Sequence, residues 1–481
     1  MRLMWAVRRN SYFDSIDLMR VAEQARQLAG VDDVAVVMGT EPGRRMLAEA
    51  GMWPAEAPTA GPSDVLIAVR ASTEAVASRA LASVEELLSA GRATEHARVE
   101  MLPRTTAAAA RGSAATNIAL IAVPGPYAAV EAHQALSAGL HVFLFSDGVS
   151  LDDEVALKRR ARERKLLVMG PECGTAIING VGLGFANRVR RGTIGVVGAS
   201  GTGIQELTTL IHRLGGGISH AIGTGGRDLH AAVGGLTTRQ AVAALGADPG
   251  TEVLLIVSKP SSPAAADAVL RAAVETRKPV MACLLGYNGA TPAGVRLAAT
   301  LEEGATAAVK LAAGRVRALD RPRGTASGGR GAIVGFFTGG TLCDEARRLI
   351  VDAPPHRFVD FGAEEFTRGR PHPIIDPSQR NTAIVAAGDD PGASVLLLDL
   401  VLGDCAHPDP AGALRPALAE ARARRRGRDL AIVAHVVGTD EDPQGLERQE
   451  EELAKLGAVV CASNRIAAET AGAIAEGRDV V

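Results

Sequence analysis

The segment from residue 193 to residue 217 constrains the fold of this chain of 481 residues more than any other stretch. An apolar, β-branched run ends at Val197, the glycine-rich loop GASGTG follows at residues 198–203, and apolar residues then recur on one face of a helical pattern. This order predicts a strand, a tight turn and a helix. The first N–H groups of such a helix have no partner within the helix, and the helix dipole is positive there, so the turn favours an anion.

The predicted phosphate-binding residues of this turn are Ser200, Gly201, Thr202 and Gly203. The two hydroxyl groups supply hydrogen-bond donors, and glycine lets an anion approach the backbone closely. A branched side chain at Gly201 is expected to block both the turn and the anion. The loop fits neither a Walker A motif nor GxGxxG spacing, so tight packing without a ligand is the alternative interpretation.

Composition excludes several functional classes. A hydrophobic content of 47% with 22% charged residues is typical of a globular protein with several domains. A net charge of −2 and 3% aromatic residues argue against a nucleic-acid partner. No run of about 18 apolar residues suggests a membrane span. The five cysteines are far apart and lack CxxC spacing, so we expect no metal site, no disulfide framework and a cytoplasmic location.

Four domains are expected from the element pattern. Residues 1–110 read as a small α+β domain whose element order is that of a split βαβ unit. Residues 111–190, 191–318 and 331–481 alternate apolar strands with helices, and a stretch rich in Arg, Pro and Gly at residues 316–331 is a linker. Such alternation predicts parallel sheets with ligand sites at the carboxyl ends of the strands.

Two cations follow predicted strands and are candidate catalytic residues, Lys259 and Arg227. A cation at the carboxyl edge of a buried parallel strand either pairs with a carboxylate, such as Asp228, or binds an anionic ligand. Loops after other strands add the remaining predicted ligand-binding residues: Pro171, Cys173, Gly174, Gly225 and Gly226.

From residue 116 to about residue 310 the chain resembles the α subunit of succinyl-CoA synthetase and related ADP-forming acyl-CoA synthetases. The resemblance lies in VPGP at residues 123–126, MGPECG at residues 169–174 and IGVVGASGTG at residues 194–203. Residues 331–481 resemble the C-terminal domain of the β subunit. The resemblance implies tandem Rossmann-like and flavodoxin-like α/β domains: a CoA-binding-like Rossmann domain at 111–190, a flavodoxin-like domain at 191–318 and a ligase-CoA-like domain at 331–481.

The chain is also similar, almost literally, to the FdrA family in four blocks, at residues 169–187, 198–206, 210–229 and 233–235. A further FdrA-like block, TRGRPHPIIDP, contains His372, the third candidate catalytic residue. This resemblance implies a subunit of an oxamate carbamoyltransferase in allantoin and purine nitrogen breakdown. That reaction exchanges a carbamoyl group between oxalurate or oxamate and phosphate or carbamoyl phosphate, and it implies further enzyme subunits and an oligomer.

Two departures limit the comparison with the synthetases. Those enzymes relay phosphate through a histidine in a Gly-His-Ala-Gly block, where this chain has Asn288. An asparagine amide is not a phosphate acceptor. The glycine-rich turn that opens the CoA-binding fold of the synthetases also has no counterpart before residue 116. The candidate ligands are therefore phosphate, carbamoyl phosphate or CoA, and no cofactor is assigned. The alternatives are an ADP-forming acyl-CoA synthetase with a displaced phosphate acceptor and a noncatalytic CoA-binding regulatory subunit.

Overall fold

The computed structural model describes residues 2–53, 59–95, 103–259, 262–324, 330–350, 356–368, 370–425 and 429–478, with backbone alone for residues 90–95. Parts of two predicted segments lie outside these residues: residues 325–329 of the linker and Gly369 of the block around His372. The chain forms two compact units. The first is Met1–Thr116, Ala122–Tyr127 and Glu364–Pro371, and the second is Asn117–Ile121, Ala128–Ala363 and His372–Val481.

The first unit contains a three-stranded antiparallel sheet in the order β1-β3-β2. Because β1 and β2 both run antiparallel to the central strand β3, the β1-α1-β2 segment is a split βαβ unit, as the sequence predicted. The elements of this unit are β1 (Arg2–Arg8), α1 (Ser15–Arg26), β2 (Val31–Met38), α2 (Glu41–Glu49), β3 (Val65–Ala71), α3 (Glu74–Glu95), α4 (Thr106–Gly112) and α12 (Glu364–Thr367).

Both faces of this sheet are covered, which explains why β3 is apolar from Val65 to Val69. Val65, Ile67 and Val69 point into a core shared with α1 and α3. The alternate residues Leu66 and Ala68 belong to a second cluster on the opposite face. Successive side chains of a strand point to opposite faces, so a strand covered on both sides needs no polar positions.

The second unit begins with a three-stranded parallel sheet in the order β4-β5-β6. Its elements are β4 (Ile118–Ile121), α5 (Gly125–Ser137), β5 (His141–Leu144), α6 (Leu151–Glu163) and β6 (Val168–Met169). These strands and helices correspond to the βαβα pattern predicted from residue 117 onward.

A seven-stranded sheet follows, in the order β13-β12-β11-β9-β10-β7-β8. Its parallel strands have the flavodoxin-like order, with the second strand outside the first and the later strands on the other side. The elements are β7 (Thr175–Ile178), β8 (Val181–Gly184), β9 (Arg191–Gly198), α7 (Gly201–Arg213), β10 (Ile218–Gly223), α8 (Leu236–Ala247), β11 (Val253–Ser258), α9 (Pro263–Glu275), β12 (Val280–Leu284), β13 (Val295–Leu297) and α10 (Leu301–Ala313).

The antiparallel hairpin β7–β8 was not predicted from the sequence. Its two-residue turn is Asn179-Gly180, with φ of 53° and 83°. Asn-Gly between short apolar runs is the strongest local signal of a hairpin, because both turn residues need positive φ. The signal was therefore present in the sequence and was missed.

The last sheet has five parallel strands in the order β15-β14-β16-β17-β18, again flavodoxin-like. Its elements are β14 (Ala332–Phe337), α11 (Gly340–Leu349), β15 (Arg357–Asp360), α13 (Ser378–Ala387), β16 (Ala393–Val401), α14 (Pro410–Arg424), β17 (Ala431–Val437), α15 (Leu446–Lys455), β18 (Ala458–Cys461) and α16 (Asn464–Ala475). The α/β fold class with flavodoxin-like parallel sheets is thus confirmed.

In both flavodoxin-like sheets the strand order reverses beside the first strand, where ligands bind in this architecture. In the first sheet this point lies between β9 and β11, at residues 198–203 and Lys259. In the second it lies between β14 and β16, at residues 338–341. Among the described residues, no helix combines the length and the apolar character needed to cross a bilayer.

Candidate functional site

Helix α7 begins at the predicted glycine loop. The hydroxyl oxygen of Ser200 accepts a hydrogen bond from the N–H of Gly203 at 3.0 Å and so caps the helix. Within the described part of the chain, the N–H groups of Gly201 and Thr202 have no hydrogen-bond partner. Both residues are partly exposed, so these two donors are available to an anion.

Helix α11 begins in the same way at the end of β14. The carboxylate of Asp399, on β16, accepts hydrogen bonds from the N–H of Thr338 at 2.7 Å, from the Thr338 hydroxyl at 2.8 Å and from the N–H of Gly339 at 3.0 Å. The next N–H groups, of Gly340 and Thr341, have no hydrogen-bond partner among the described residues. Asp399 therefore holds the turn, and Gly340 is partly exposed at the start of α11 while Thr341 is buried.

These two helix N-termini meet. The Ser200 hydroxyl hydrogen-bonds the Thr341 hydroxyl. On the other side, a side chain at Gly339 would collide with Thr202, since its Cβ would lie 2.8 Å from the Thr202 Cβ. Each helix starts with Gly-Thr, and the threonine of each helix contacts the N-cap residue of the other. We name this pair of N-termini, residues 200–203 and 339–342, the anion cradle.

Lys259 lies at the edge of the anion cradle. Its Nζ is 3.2 Å from Oδ2 of Asp344 on α11 and 3.1 Å from the position that a Cβ on Gly340 would occupy. Asp360, the last residue of β15, borders the same position. The structure thus brings the predicted cation Lys259 together with the predicted glycine loop and adds two carboxylates.

The pKa of the Asp360 carboxyl group differs from its ordinary value. Partial burial raises the pKa of its carboxyl group to about 6, although the Gly362 N–H and Lys259 act in the opposite direction. The neighbouring carboxylates of Asp399 and Asp344 add to the increase. A carboxyl group with a pKa near neutrality can exchange a proton under physiological conditions.

His372 lies beside Asp360. The Nε2 atom of His372 and the Oδ1 atom of Asp360 are 2.8 and 3.1 Å from the position of a Cβ on Gly362. Its Nδ1 accepts a hydrogen bond from Ile374 N–H at 3.3 Å, so the neutral ring carries its proton on Nε2. Burial lowers the pKa of His372 to about 4, and the ring is therefore neutral near pH 7.

Arg227 has different surroundings from Lys259. Its guanidinium group donates to Glu154 at 2.9 Å and to the Val149 carbonyl at 2.8 Å. Asp228 pairs instead with the buried Lys158 at 2.8 Å. Of the two environments expected for Arg227, the structure therefore shows the ion pair with a carboxylate, and its catalytic role stays a prediction.

The other predicted loops border the glycine loop but differ in exposure. The Gly174 Cα is 4.0 Å from the position of a Cβ on Gly201, whereas Gly225 packs against the Pro171 carbonyl. Gly226 has open space around it. Cys173 is 2% exposed, and burial raises the pKa of its thiol to about 12, so the thiol stays protonated in the core.

The structure bears on one part of the expectation for Gly201, the geometry of the turn. A Cβ on Gly201 would be 3.5 Å from its nearest neighbour, the Thr175 hydroxyl, which is ordinary contact, and the residue has no positive φ. Gly198 and Gly203 are the positions that exclude a side chain, since their Cβ atoms would lie 2.6 Å from a methyl group of Val257 and 2.8 Å from the Ser200 hydroxyl. The turn itself has room for a Cβ at 201, and the effect of a branched side chain there on the anion stays a prediction.

Sequence reasoning missed the second half of the anion cradle. Gly-Thr at the start of α11 repeats the Gly-Thr at the start of α7. That repeat was the available signal. Nothing local marks Asp360 or Asp399, because their role depends on which strands are neighbours.

Comparisons with known proteins agree with this architecture. A family model described as a CoA binding domain matches residues 189–284, and one described as CoA-ligase matches residues 336–474. A third, described as AllF, heavy metal-associated domain, matches residues 1–102. The α subunit of an ADP-forming succinate–CoA ligase from Aquifex aeolicus is 32% identical over 187 residues, covering 38% of this chain and 59% of that subunit.

The fold and the matched domains define a protein built on a scaffold like that of succinyl-CoA synthetase, with a CoA-binding-type module joined to a CoA-ligase-type module. The chain is 40% identical over 497 aligned positions to YahF of Escherichia coli (strain K12), an alignment that covers 95% of this chain and 96% of that protein, and it belongs to the YahF family. A solved acetyl-coenzyme A synthetase 1 from Ca. Korarchaeum cryptofilum is 16% identical, covers 74% of this chain and 82% of that chain, and has a TM-score of 0.34.

The N-terminal family model mentions heavy metals, but the residues of this chain do not fit such an ion. Residues 1–102 contain no cysteine, and thiolate is the ligand that soft metals prefer. Within the described ranges, no group of three or more His, Cys, Asp or Glu side chains is placed to hold a metal. No chemistry is therefore assigned to a metal in this domain.

Proposed function

We propose that this chain is a subunit of a carbamoyl-transfer enzyme of the oxamate carbamoyltransferase type, acting in the cytoplasm in allantoin and purine nitrogen breakdown. The observation that carries the proposal is the anion cradle, in which the start of α7 meets the start of α11 and Lys259 lies beside Gly340 of α11. Such an arrangement suits a phosphate group, because backbone donors and a cation face one site. The resemblance to the FdrA family supports the carbamoyl chemistry.

In the proposed reaction, the amide nitrogen of oxamate attacks the carbonyl carbon of carbamoyl phosphate. A C–N bond forms, the bond from carbon to the phosphate oxygen breaks, and the products are oxalurate and phosphate. The cradle N–H groups and Lys259 stabilise the negative charge on the leaving phosphate. Asp360 accepts the proton that the nitrogen loses, for which its pKa of about 6 is suitable.

This mechanism needs no covalent relay through the protein. The position at which the synthetases have their phosphate-accepting histidine is occupied by Asn288, which is exposed in the loop after β12. Positioning two substrates and stabilising the charge that develops can provide most of the acceleration in such a transfer. The glycine loop and Lys259, together with Asn288 in place of the phosphate-accepting histidine, are thus consistent with direct transfer of the carbamoyl group.

A second candidate function is an ADP-forming acyl-CoA synthetase with a displaced phosphate acceptor. The observation that favours it is the position of His372 beside Asp360. The N–H groups and hydroxyls at residues 200–203 fit a phosphate group such as those of CoA, and CoA would supply the thiol that accepts an acyl group. In this mechanism Nε2 of His372 can accept phosphate only after its proton moves to Nδ1, which now accepts the hydrogen bond from Ile374 N–H.

The deciding experiment is an assay of carbamoyl transfer from carbamoyl phosphate to oxamate, using the purified chain alone and together with the products of neighbouring genes. We expect transfer that needs neither ATP nor CoA and that is lost in Lys259→Met. ATP-dependent thioester formation that is lost in His372→Asn would support the second candidate. Unchanged transfer by the partner proteins when Lys259 is replaced would indicate a regulatory subunit.

A further inference from the structure

Both helices of the anion cradle carry a buried glutamate on their second turn. Glu206 is the sixth residue of α7, and Glu345 is the sixth residue of α11. Each is 1% exposed. A buried carboxylate is costly unless every oxygen has a partner, so the bonds of these two side chains are informative.

Asn464, the first residue of α16, connects the two glutamates. Its backbone N–H donates to Oε1 of Glu206 at 3.2 Å. Its side-chain amide donates to Oε2 of Glu345 at 2.7 Å and to the Leu342 carbonyl at 3.1 Å. One residue that is 1% exposed therefore contacts both helices of the cradle through directional bonds.

The remaining carboxylate oxygens are also partnered. His435, on β17, lies 2.7 Å from Oε2 of Glu206, and its other ring nitrogen lies 3.0 Å from the Cys461 carbonyl oxygen. Oε1 of Glu345 accepts a hydrogen bond from the N–H of Leu301 at 2.7 Å. The network is complete, so the positions of α7 and α11 are set by bonds that cannot shift without leaving a buried carboxyl oxygen without a partner.

We infer that Asn464 is a positioning residue of the anion cradle: it holds α7 and α11 against each other so that their N-termini open on one anion. The inference rests on the proposed phosphate site. The helices belong to different sheets, and the contact between the Ser200 and Thr341 hydroxyls joins two groups that a bound anion also needs. A displacement of about 1 Å at such a site can cost about 100-fold in activity, which is why a fixed support behind it matters.

The first test is the affinity for inorganic phosphate of Asn464→Ala, with Gln449→Ala as the matched control. Gln449 is also fully buried, and its amide donates to Asp409 at 3.0 Å and accepts from Ala411 N–H at 2.9 Å, but these bonds join α14 and α15. We expect the Kd for phosphate to rise about tenfold or more in Asn464→Ala and to change less than about twofold in the control.

The second variant, Asn464→Asp, keeps the shape of the side chain and tests the bridge by pH. The substitution places a carboxyl group opposite that of Glu345. The other titratable groups of the network are Glu206, which bonds the backbone N–H of residue 464, and His435, which contacts Glu206. At about pH 8 the carboxylates of residues 464 and 345 repel each other. Near pH 6 one proton shared between them replaces the hydrogen bond that the Asn464 amide donates in the wild type. Phosphate affinity relative to the wild type at the same pH should therefore recover on acidification, which a purely structural role would not produce.

Hydrogen exchange gives a readout that does not depend on phosphate. In Asn464→Ala the amides of the second turns of α7 and α11 should exchange faster in both helices together, and in Gln449→Ala they should not. If the wild type binds no phosphate while both helices lose protection in Asn464→Ala, the phosphate site is wrong but the bridge is real. If the wild type binds phosphate and Asn464→Ala binds it equally well, with both helices protected, the inference is overturned.

Discussion

The Ser200 hydroxyl hydrogen-bonds the Thr341 hydroxyl across 141 residues of sequence, and this bond joins the N-termini of α7 and α11. The contact has a counterpart on its other side, where Thr202 touches Gly339. The positive ends of two helix dipoles lie together here, which an anion compensates. The carboxylate of Asp399 does so at the start of α11, and Asp344 pairs with Lys259, so a bound phosphate adds to a compensation that the protein itself begins.

Removing the loop hydroxyls should weaken the anion site. We expect Ser200→Ala and Thr202→Ala each to reduce phosphate binding by about 1–3 kcal/mol, the range for hydrogen bonds to charged groups, measured as a smaller rise in Tm on adding phosphate. Ser200→Ala also loses the cap of α7, a cost of about 1 kcal/mol in stability.

Thr40→Ala is the control for that cap. Thr40 caps α2 through a bond from the Gly43 N–H at 3.3 Å and belongs to the first unit, whereas the residues of the anion cradle belong to the second. This variant should lose stability but keep the full response to phosphate. If phosphate stabilises the Ser200 and Thr202 variants as strongly as the wild type, residues 200–203 form only a packing turn.

Replacing Lys259 should remove the cation of the anion cradle. We expect Lys259→Met to lose about 100-fold or more in kcat/KM for carbamoyl transfer, because leaving-group charge is no longer stabilised. Lys278→Met is the control, since the Lys278 ammonium group bonds the carbonyls of Leu245 and Asp248 at the end of α8. If Lys259→Met and Lys278→Met are equally active, Lys259 has no role in the mechanism.

Asp360→Asn should make the protein more stable at neutral pH. The pKa of Asp360 is about 6 in the folded protein against 3.8 ordinarily, so the folded state holds its proton more tightly than the unfolded chain does. The contribution of Asp360 to the free energy of unfolding is complete below about pH 4 and is lost as the pH rises through about 6. The free energy of unfolding changes by at most about 3 kcal/mol over this range because of Asp360. The Tm of Asp360→Asn should exceed that of the wild type at pH 7.5 and not at pH 4.

Asp64→Asn should behave in the opposite way and serves as the control. Hydrogen bonds from Gly61 and Asn10 lower the pKa of Asp64, so its contribution is present at neutral pH and lost in acid. The substitution should lower the Tm at pH 7.5. A decrease of Tm in both variants at that pH would contradict the acidity assigned to Asp360.

No phosphohistidine should form on this chain. Incubation with labelled ATP, or with a CoA thioester and phosphate, should leave no acid-labile phosphate, because Asn288 occupies the position of the phosphate acceptor. A succinate–CoA ligase α subunit, treated in parallel, provides the positive control. Stoichiometric label on His372 would instead support the acyl-CoA synthetase mechanism.

Assembly with other subunits is the last expectation. The described part of the anion cradle provides anion donors, a cation and one proton acceptor, but no residue is assigned to bind the carboxylate of oxamate. We therefore expect a stable complex with partner subunits and an oligomer, measured by light scattering and co-purification. Full carbamoyl-transfer activity of the isolated chain as a monomer would contradict this.

Local sequence pattern was sufficient for most of the fold. The alternation of apolar strands and helices predicted for residues 191–318 and 331–481 is found in the structure, where β12 and β14 are short apolar runs followed by loops that contain glycine. The hairpin β7–β8 was missed although Asn179-Gly180 marks it. Short strands of four residues carry little periodicity, so only the turn identified them.

The sequence by itself determined the glycine loop at residues 198–203 and the cation that follows β11, because both are properties of a single strand and the turn after it. Only the tertiary structure decided that residues 339–342 complete the anion cradle and that Asn464 joins Glu206 to Glu345. These contacts link residues far apart in the chain. They depend on how two separately formed sheets pack, which no local pattern of side chains specifies.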